Sequence, residues 1–289
     1  MLPQEQQSSA NTSSNSQSYT YEQFENQQRS IEQEIKQFPL VDPVATPLTL
    51  STLAYNIGDH VIQEKIERSY LLKKYSHIRG IRGDGNCFIR AFVFGLLDYL
   101  IRKKDKTLTQ QMIDIIDQHY KYLIEVLNYP EHCLEDFYGI TKEVFEKVRD
   151  GVIHTVEGLL QNYFSDKTTD LMMTSQAIVC FMRFLLSGHI QMNTDDYLPF
   201  FLDQYATAKD FCHAEIEIMD RDCDNIHLTA MTSAFKVCIR VEVLDAQSRG
   251  SDKFDVFGYT IPDGSDKEPV VHLLFRPGHY EIIYPIENK

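Results

Sequence analysis

The stretch Ile81-Arg82-Gly83-Asp84-Gly85-Asn86-Cys87-Phe88-Ile89-Arg90-Ala91-Phe92 constrains this chain more than any other, because it sets a tight turn, a helix start and a cysteine side by side. Asp84-Gly85 is a strong turn signal and Asn86 is a favoured helix cap. Phe88, Ala91, Phe92, Gly95, Leu96 and Tyr99 then follow at helical, largely apolar spacing. The thiol of Cys87 is thereby expected at a helix N-terminus, where unpaired N–H groups and the positive end of the macrodipole stabilise a thiolate. The same amides suit a developing oxyanion. A turn before a helix is common, and a cysteine beside an aromatic ring is often packing, so this stretch alone leaves packing and chemistry both open.

The far end of the chain supplies the second half of a site. Residues 269–284 form two β-rich runs separated by Arg276-Pro277-Gly278. Proline presets φ at the second turn position and glycine supplies the positive φ that a type II turn needs next, so strands at 270–275 and 279–284 should pair as a hairpin. His279 opens the second strand. Glu281, two residues on, leaves the same face roughly 7 Å along, where its carboxylate would orient the imidazole toward a thiol. Taken alone, each is an ordinary strand residue beside a turn.

Taken together, Gly83-Asp84-Gly85-Asn86-Cys87-Phe88-Ile89-Arg90-Ala91-Phe92 resembles the nucleophile motif of the ovarian-tumour-domain cysteine proteases. Phe275-Arg276-Pro277-Gly278-His279-Tyr280-Glu281-Ile282-Ile283-Tyr284 resembles their histidine strand, and the similarity is greater to the otubain branch. It runs from about Ile31 to Tyr284, through Lys74-Tyr75-Ser76-His77-Ile78-Arg79 and Asp224-Asn225-Ile226-His227-Leu228. The resemblance implies a papain-like α+β fold, a helical lobe packed on a C-terminal, mostly antiparallel sheet. It also implies a deubiquitinase, with lysine-48-linked chains as the associated substrate. Carried over by position, Cys87 is the nucleophile, His279 the general base, and Asp84 the residue that shapes the oxyanion loop of Gly85 and Asn86. Glu281 falls where the family usually has aspartate or asparagine. One extra methylene requires its rotamer or the strand to adjust. The alternative reading is a non-catalytic inhibitor of ubiquitin-conjugating enzymes. Expected partners are therefore ubiquitin and polyubiquitin chains, with conjugating enzymes as a second class. A papain-type protease is set aside, since the Cys-Gly-Ser-Cys-Trp neighbourhood is absent and the chain has no tryptophan.

Composition narrows the rest. A net charge of −14, from 28 basic and 42 acidic residues, with no basic stripe, argues against a nucleic-acid partner. The six cysteines, at 87, 133, 180, 212, 223 and 238, show neither C-x-x-C nor zinc spacing, so a reducing setting without metal or cofactor is expected. No apolar run is long enough to span a membrane, and no signal peptide opens the chain; a monomer in the cytosol, with the nucleus open, is the expectation.

Residues 1–20, rich in Gln, Ser and Asn, cannot bury enough apolar area to offset chain entropy and read as a disordered arm. Residues 21–45 read as an amphipathic helix (Tyr21, Phe24, Ile31, Ile35, Phe38) and a connector marked by Pro39 and Pro43, leaving 46–289 as the catalytic domain. Within it the spacing predicts helices at 59–76, 109–128, 141–162 and 168–188, and shorter ones near 194–205, 207–219 and 225–235. Strands are expected at 236–244 and 254–260, ahead of the hairpin.

Overall fold

The computed structural model describes residues 21–55, 57–165, 169–245 and 256–286; the Gln/Ser/Asn-rich stretch 1–20 lies outside the described residues. By internal contacts the chain divides into two units, Met1–Gln37 and Phe38–Lys289. In the first, the expected helix is found as α1, Tyr21–Lys36, with Ile31 exposed on it.

The second unit opens with a segment that is more than a spacer. Leu40 and Val41 are buried, Val41 bridges Ile81, and Arg82 Nε donates to the Phe38 carbonyl at 2.7 Å. The chain continues through β1 (Thr46–Pro47), α2 (Leu50–Leu53), α3 (His60–Arg68), α4 (Leu71–Lys74) and β2 (Tyr75–Arg79). Asp59 caps α3 by accepting from Val61 N at 2.8 Å, and Ile62 and Ile66 form its buried face. The single helix expected over 59–76 is thus corrected to two short helices and a strand. Ser69, at φ −66° and ψ 162°, is extended and stops α3.

The helical lobe follows: α5 (Cys87–Lys103), α6 (Lys106–Glu125), α7 (Glu131–Arg149), α8 (Val156–Leu159) running into a π turn at Leu160–Phe164, and α9 (Thr169–Met192). The expected helix over 141–162 is also two elements. It begins earlier, at Glu131, and breaks after Arg149, where Gly151 takes φ +75°. Then come α10 (Thr194–Phe201), α11 (Ala208–Phe211) with a π turn at Cys212–Ile216, α12 (Asn225–Phe235), and strands β3 (Ile239–Leu244), β4 (Val256–Ile261), β5 (Val271–Arg276) and β6 (His279–Pro285).

Among the described residues these strands form one sheet in the order β1-β2-β6-β5-β3-β4, antiparallel throughout except for β3 beside β5. The fold is α+β as expected, but the sheet is not purely C-terminal, since β1 and β2 precede the helical lobe. Both faces are covered. Ile239, Val241, Leu273 and Ile282 join the main core with α5 and α9, whereas Leu244, Leu274 and Ile283 join Leu53, Ile62, Ile66 and Leu71 in a second one. A buried Glu242 ties that second layer down, accepting from Tyr70, from Tyr75 at 2.5 Å, from Lys74 at 2.8 Å and from Arg240 at 3.0 Å. Burial alone would raise its carboxyl, but these donors outweigh burial and hold it at about 2.

The helix that carries the candidate nucleophile is α5. Cys87 through Leu97 are all buried, and Gly95 lets the helix settle on the sheet, since a Cβ there would stand 2.8 Å from Val271 Cγ1. This close approach seats the start of α5 over the start of β6.

Candidate active site

The hairpin turn delivers His279 as anticipated. Gly278 takes φ +77°, and Arg276 pairs with His279 across the two-residue loop. The next residue, Tyr280, points its ring into the core against Phe88, 5.4 Å between centroids, which brings the start of β6 against the first turn of α5. The nucleophile and base candidates, the residues just before Phe88 and Tyr280, therefore both lie at the α5–β6 junction. The imidazole also leans over the loop before Cys87, for a Cβ built on Gly83 would lie 3.5 Å from its Nδ1.

Cys87 occupies the first turn of α5, as expected, but burial there works against the thiolate. It is 3% exposed, and burial, with smaller contributions from Asp222 and Asp84, pushes its thiol up to about 11 against the pull of the Tyr280 backbone and Arg90. His279 is lowered, chiefly by burial and also by Arg276, although Glu281, Asp222 and Asp84 draw it upward. Burial thus disfavours the charged form of both groups, which suits transfer of the thiol proton to the imidazole as the thiol attacks.

The loop between them is built around Asp84. Its carboxylate takes both terminal nitrogens of the fully buried Arg90 at 2.8 Å each, and the backbone N–H of Asn86 at 3.1 Å. Asn86 does not cap α5 with its side chain, contrary to the sequence reading. Its Nδ2 instead donates to Asp220 at 2.7 Å, and its Oδ1 accepts from Asp220 N at 3.1 Å and from Arg183 Nη2 at 2.9 Å. The amide of Asn86 is likewise already engaged, so the amides this loop can offer an oxyanion are those flanking it, at Gly85 and Cys87.

Glu281 lies where the strand register puts it, opposite Leu274 and two residues beyond His279. Its carboxylate accepts from Arg276 Nη1 at 2.6 Å rather than from the imidazole.

The family model for peptidase C65, otubain, matches residues 33–285. The chain belongs to the otubain family. It is 36% identical over 261 residues to the human protein named ubiquitin thioesterase OTUB1, covering 89% of this chain and 88% of that one. An Arabidopsis thaliana relative, named an ovarian tumor domain-containing deubiquitinating enzyme, is 33% identical over 248 residues, 83% of this chain and 79% of its own. Among solved structures, a complex of ceOTUB1 with ubiquitin aldehyde and UBC13~Ub superposes with a TM-score of 0.76 at 31% identity, over 91% of this chain and all of that one.

The Glu281–Arg276 pair in this otubain makes a definite prediction. Glu281 acts on His279 through its charge and not through a hydrogen bond, and a negative charge raises an imidazole. Glu281→Gln should therefore lower the His279 pKa further and move the acid limb of kcat/KM to lower pH. The loss of rate at the plateau should stay below the roughly hundredfold that losing an acid–base group typically costs. A pH profile of the variant checks both; a limb displaced to higher pH would show that the pairing has the wrong sign.

Three contributors were missed by the sequence reading. Arg183, on α9, lies among Cys180, Phe181, Met182, Leu185 and Leu186 and reads as an edge cation in an apolar helix, yet it is fully buried beneath the loop. Asp220 and Asp222 belong to the segment after the Cys212–Ile216 turn, where no periodic signal draws attention. That segment reaches the site because Asp220, at φ +61°, turns the chain back onto Gly85 and Asn86.

Proposed function

We propose that this otubain hydrolyses the isopeptide bond between the C-terminal glycine of ubiquitin and a lysine side chain. The observation that carries the reading is the junction of α5 and β6, where Phe88, next to Cys87, packs on Tyr280, next to His279, at 5.4 Å between centroids, and the His279 imidazole lies over the loop at Gly83. Cys87 Sγ attacks the glycine carbonyl as His279 takes the thiol proton. The amides of Gly85 and Cys87 receive the oxyanion, with Asp84 holding the loop in shape. On collapse, His279 gives its proton to the departing lysine amine, leaving a thioester. His279 then activates water to release ubiquitin. Glu281 supports the imidazolium electrostatically. A reducing, cytosolic setting is part of this proposal, because the nucleophile must stay a free thiol to act.

The proposed preference for lysine-48-linked chains rests on family membership. A panel of defined-linkage ubiquitin dimers, treated with wild type and Cys87→Ala under reducing conditions, tests both parts. Cleavage by wild type alone, fastest on the lysine-48 dimer, is the expected result; equal rates on every linkage would remove the preference and keep the enzyme.

A second reading, restraint of ubiquitin-conjugating enzymes, is favoured by one observation. Solved relatives at 31% identity are complexes with ubiquitin aldehyde and UBC13~Ub or UBCH5B~Ub. The exposed Ile31 on α1 offers an apolar contact for such a partner. Removal of residues 1–37 should then weaken inhibition of ubiquitin transfer while leaving dimer cleavage in place; unchanged inhibition would exclude the helix from that role.

A further inference from the structure

We infer that Arg183 and Arg90 are positioning residues that lock the Gly85–Asn86 peptide plane from both ends and so fix the amides that receive the oxyanion. The inference rests on the reading of Cys87 as nucleophile and of residues 84–87 as its oxyanion loop. The Gly85 carbonyl and the Asn86 N–H belong to one planar peptide unit. The carbonyl accepts from Arg183 Nη2 at 3.0 Å, and the N–H donates to Asp84 Oδ1 at 3.1 Å. Asp84 is itself held by the two-pronged grip of Arg90. Rotation of this plane would forfeit both bonds, turn the carbonyl toward the Asp84 carboxylate, and reorient the neighbouring N–H groups of Gly85 and Cys87.

Arg183 is suited to this task and poorly suited to packing alone. Its side chain is fully buried, and its hydrogen-bond acceptors are all uncharged: the carbonyls of Gly85, Ile216 at 3.2 Å and Arg221 at 2.6 Å, and the Asn86 side-chain oxygen. A buried guanidinium bonded only to neutral acceptors, with Asp220 and Asp84 acting on it through charge alone and burial still the larger effect, is costlier than an apolar residue of the same volume. What it adds is geometry. A planar, forked donor reaches the nucleophile loop and the 216–221 segment at once, which a lysine or an aliphatic chain cannot do.

The test compares wild type, Arg183→Lys, Arg183→Met and Arg90→Lys on ubiquitin bearing a fluorogenic C-terminal amide, and measures iodoacetamide alkylation of Cys87 in parallel. Alkylation uses the thiol but forms no oxyanion. A displaced donor should lower kcat by about a hundredfold in the Arg183 variants while KM and the alkylation rate stay within about threefold of wild type. If Arg183→Met fails to fold, Arg183→Lys, which keeps the charge and one carbonyl contact, carries the test with circular dichroism as the check. Turnover close to wild type, or alkylation falling in step with turnover, would overturn the inference. Wild type and Cys87→Ala run alongside on the same substrate: an inactive wild type or an active Cys87→Ala would mean that the underlying reading fails instead.

Discussion

Cys87→Ala is expected to abolish ubiquitin cleavage while leaving the fold and ubiquitin binding in place. The thioester cannot form without the sulfur. Cys223, close enough to feel the charge of Cys87, is no substitute, because burial pushes its thiol up to about 12, further than that of Cys87 at about 11. His279→Ala should be less severe, about a hundred- to ten-thousandfold, because a positioned base is lost while the thiol remains. The two effects should not add, since both residues serve one step. Structural cost is small by comparison: Cys87 is buried among Phe88 and its neighbours, and deleting one buried heavy atom costs about 1 kcal/mol. A thermal melt close to wild type, together with absent turnover, separates lost chemistry from lost fold. Residual cleavage within about tenfold of wild type would show that Cys87 is only packing, the reading that the sequence by itself leaves open.

Gly85→Ala should have the second largest effect, on stability and turnover together. Gly85 takes φ +76°, which costs an L-residue about 1–2 kcal/mol. A Cβ there would also stand 2.3 Å from the carbonyl carbon and oxygen of Asp220. That backbone cannot yield cheaply, because Asp220 N donates to Asn86 Oδ1 and Arg183 holds the Arg221 carbonyl. Together these should destabilise the protein by about 3 kcal/mol or more and shift the loop enough to cost at least about a hundredfold in rate. Gly264 is the control. It takes φ +66°, and a Cβ there would meet nothing within 4 Å, so alanine should carry the strain alone and leave turnover unchanged. Equal losses at the two positions would refute the clash against Asp220.

The parts of this protein that were legible in its sequence are those where local chemistry and tertiary placement agree. Asp84-Gly85 and Pro277-Gly278 announce turns by backbone requirement, and both turns are present with positive φ at the glycine. α6 shows directly as apolar periodicity because it buries one face, and α5 and α9 show as long apolar runs because they are buried on nearly every side. β2 was hidden for a physical reason. A bulge between Tyr75 and His77 shifts the register, so Tyr75 and Ile78 point inward while His77 is exposed, and the two-residue alternation that marks a strand is broken. The break in the helix expected over 141–162 depends on Gly151, whose positive φ is a property of the turn it makes.

The site was half legible. Cys87, His279 and Asp84 stand on motifs, and the structure gathers them at one junction. The helix N-terminus that favours a Cys87 thiolate is visible in sequence, whereas the burial that pushes the thiol up is a tertiary fact. Asn86 looked like a cap because its residue type favours that role; its side chain is instead claimed by Arg183 and Asp220, residues remote in sequence. Glu281 shows the same limit in reverse. Its spacing from His279 is right, but Arg276 across the turn takes its carboxylate first.

Whether Cys87 is the nucleophile is decided most directly by reaction with ubiquitin carrying an electrophile in place of its C-terminal carboxylate, followed by peptide mass spectrometry. One ubiquitin per chain is expected, attached at Cys87 and absent from Cys87→Ala. Exposed Cys133 is the internal control for simple thiol accessibility. Attachment at Cys133, or no attachment under conditions that label an active thiol deubiquitinase, would contradict the assignment.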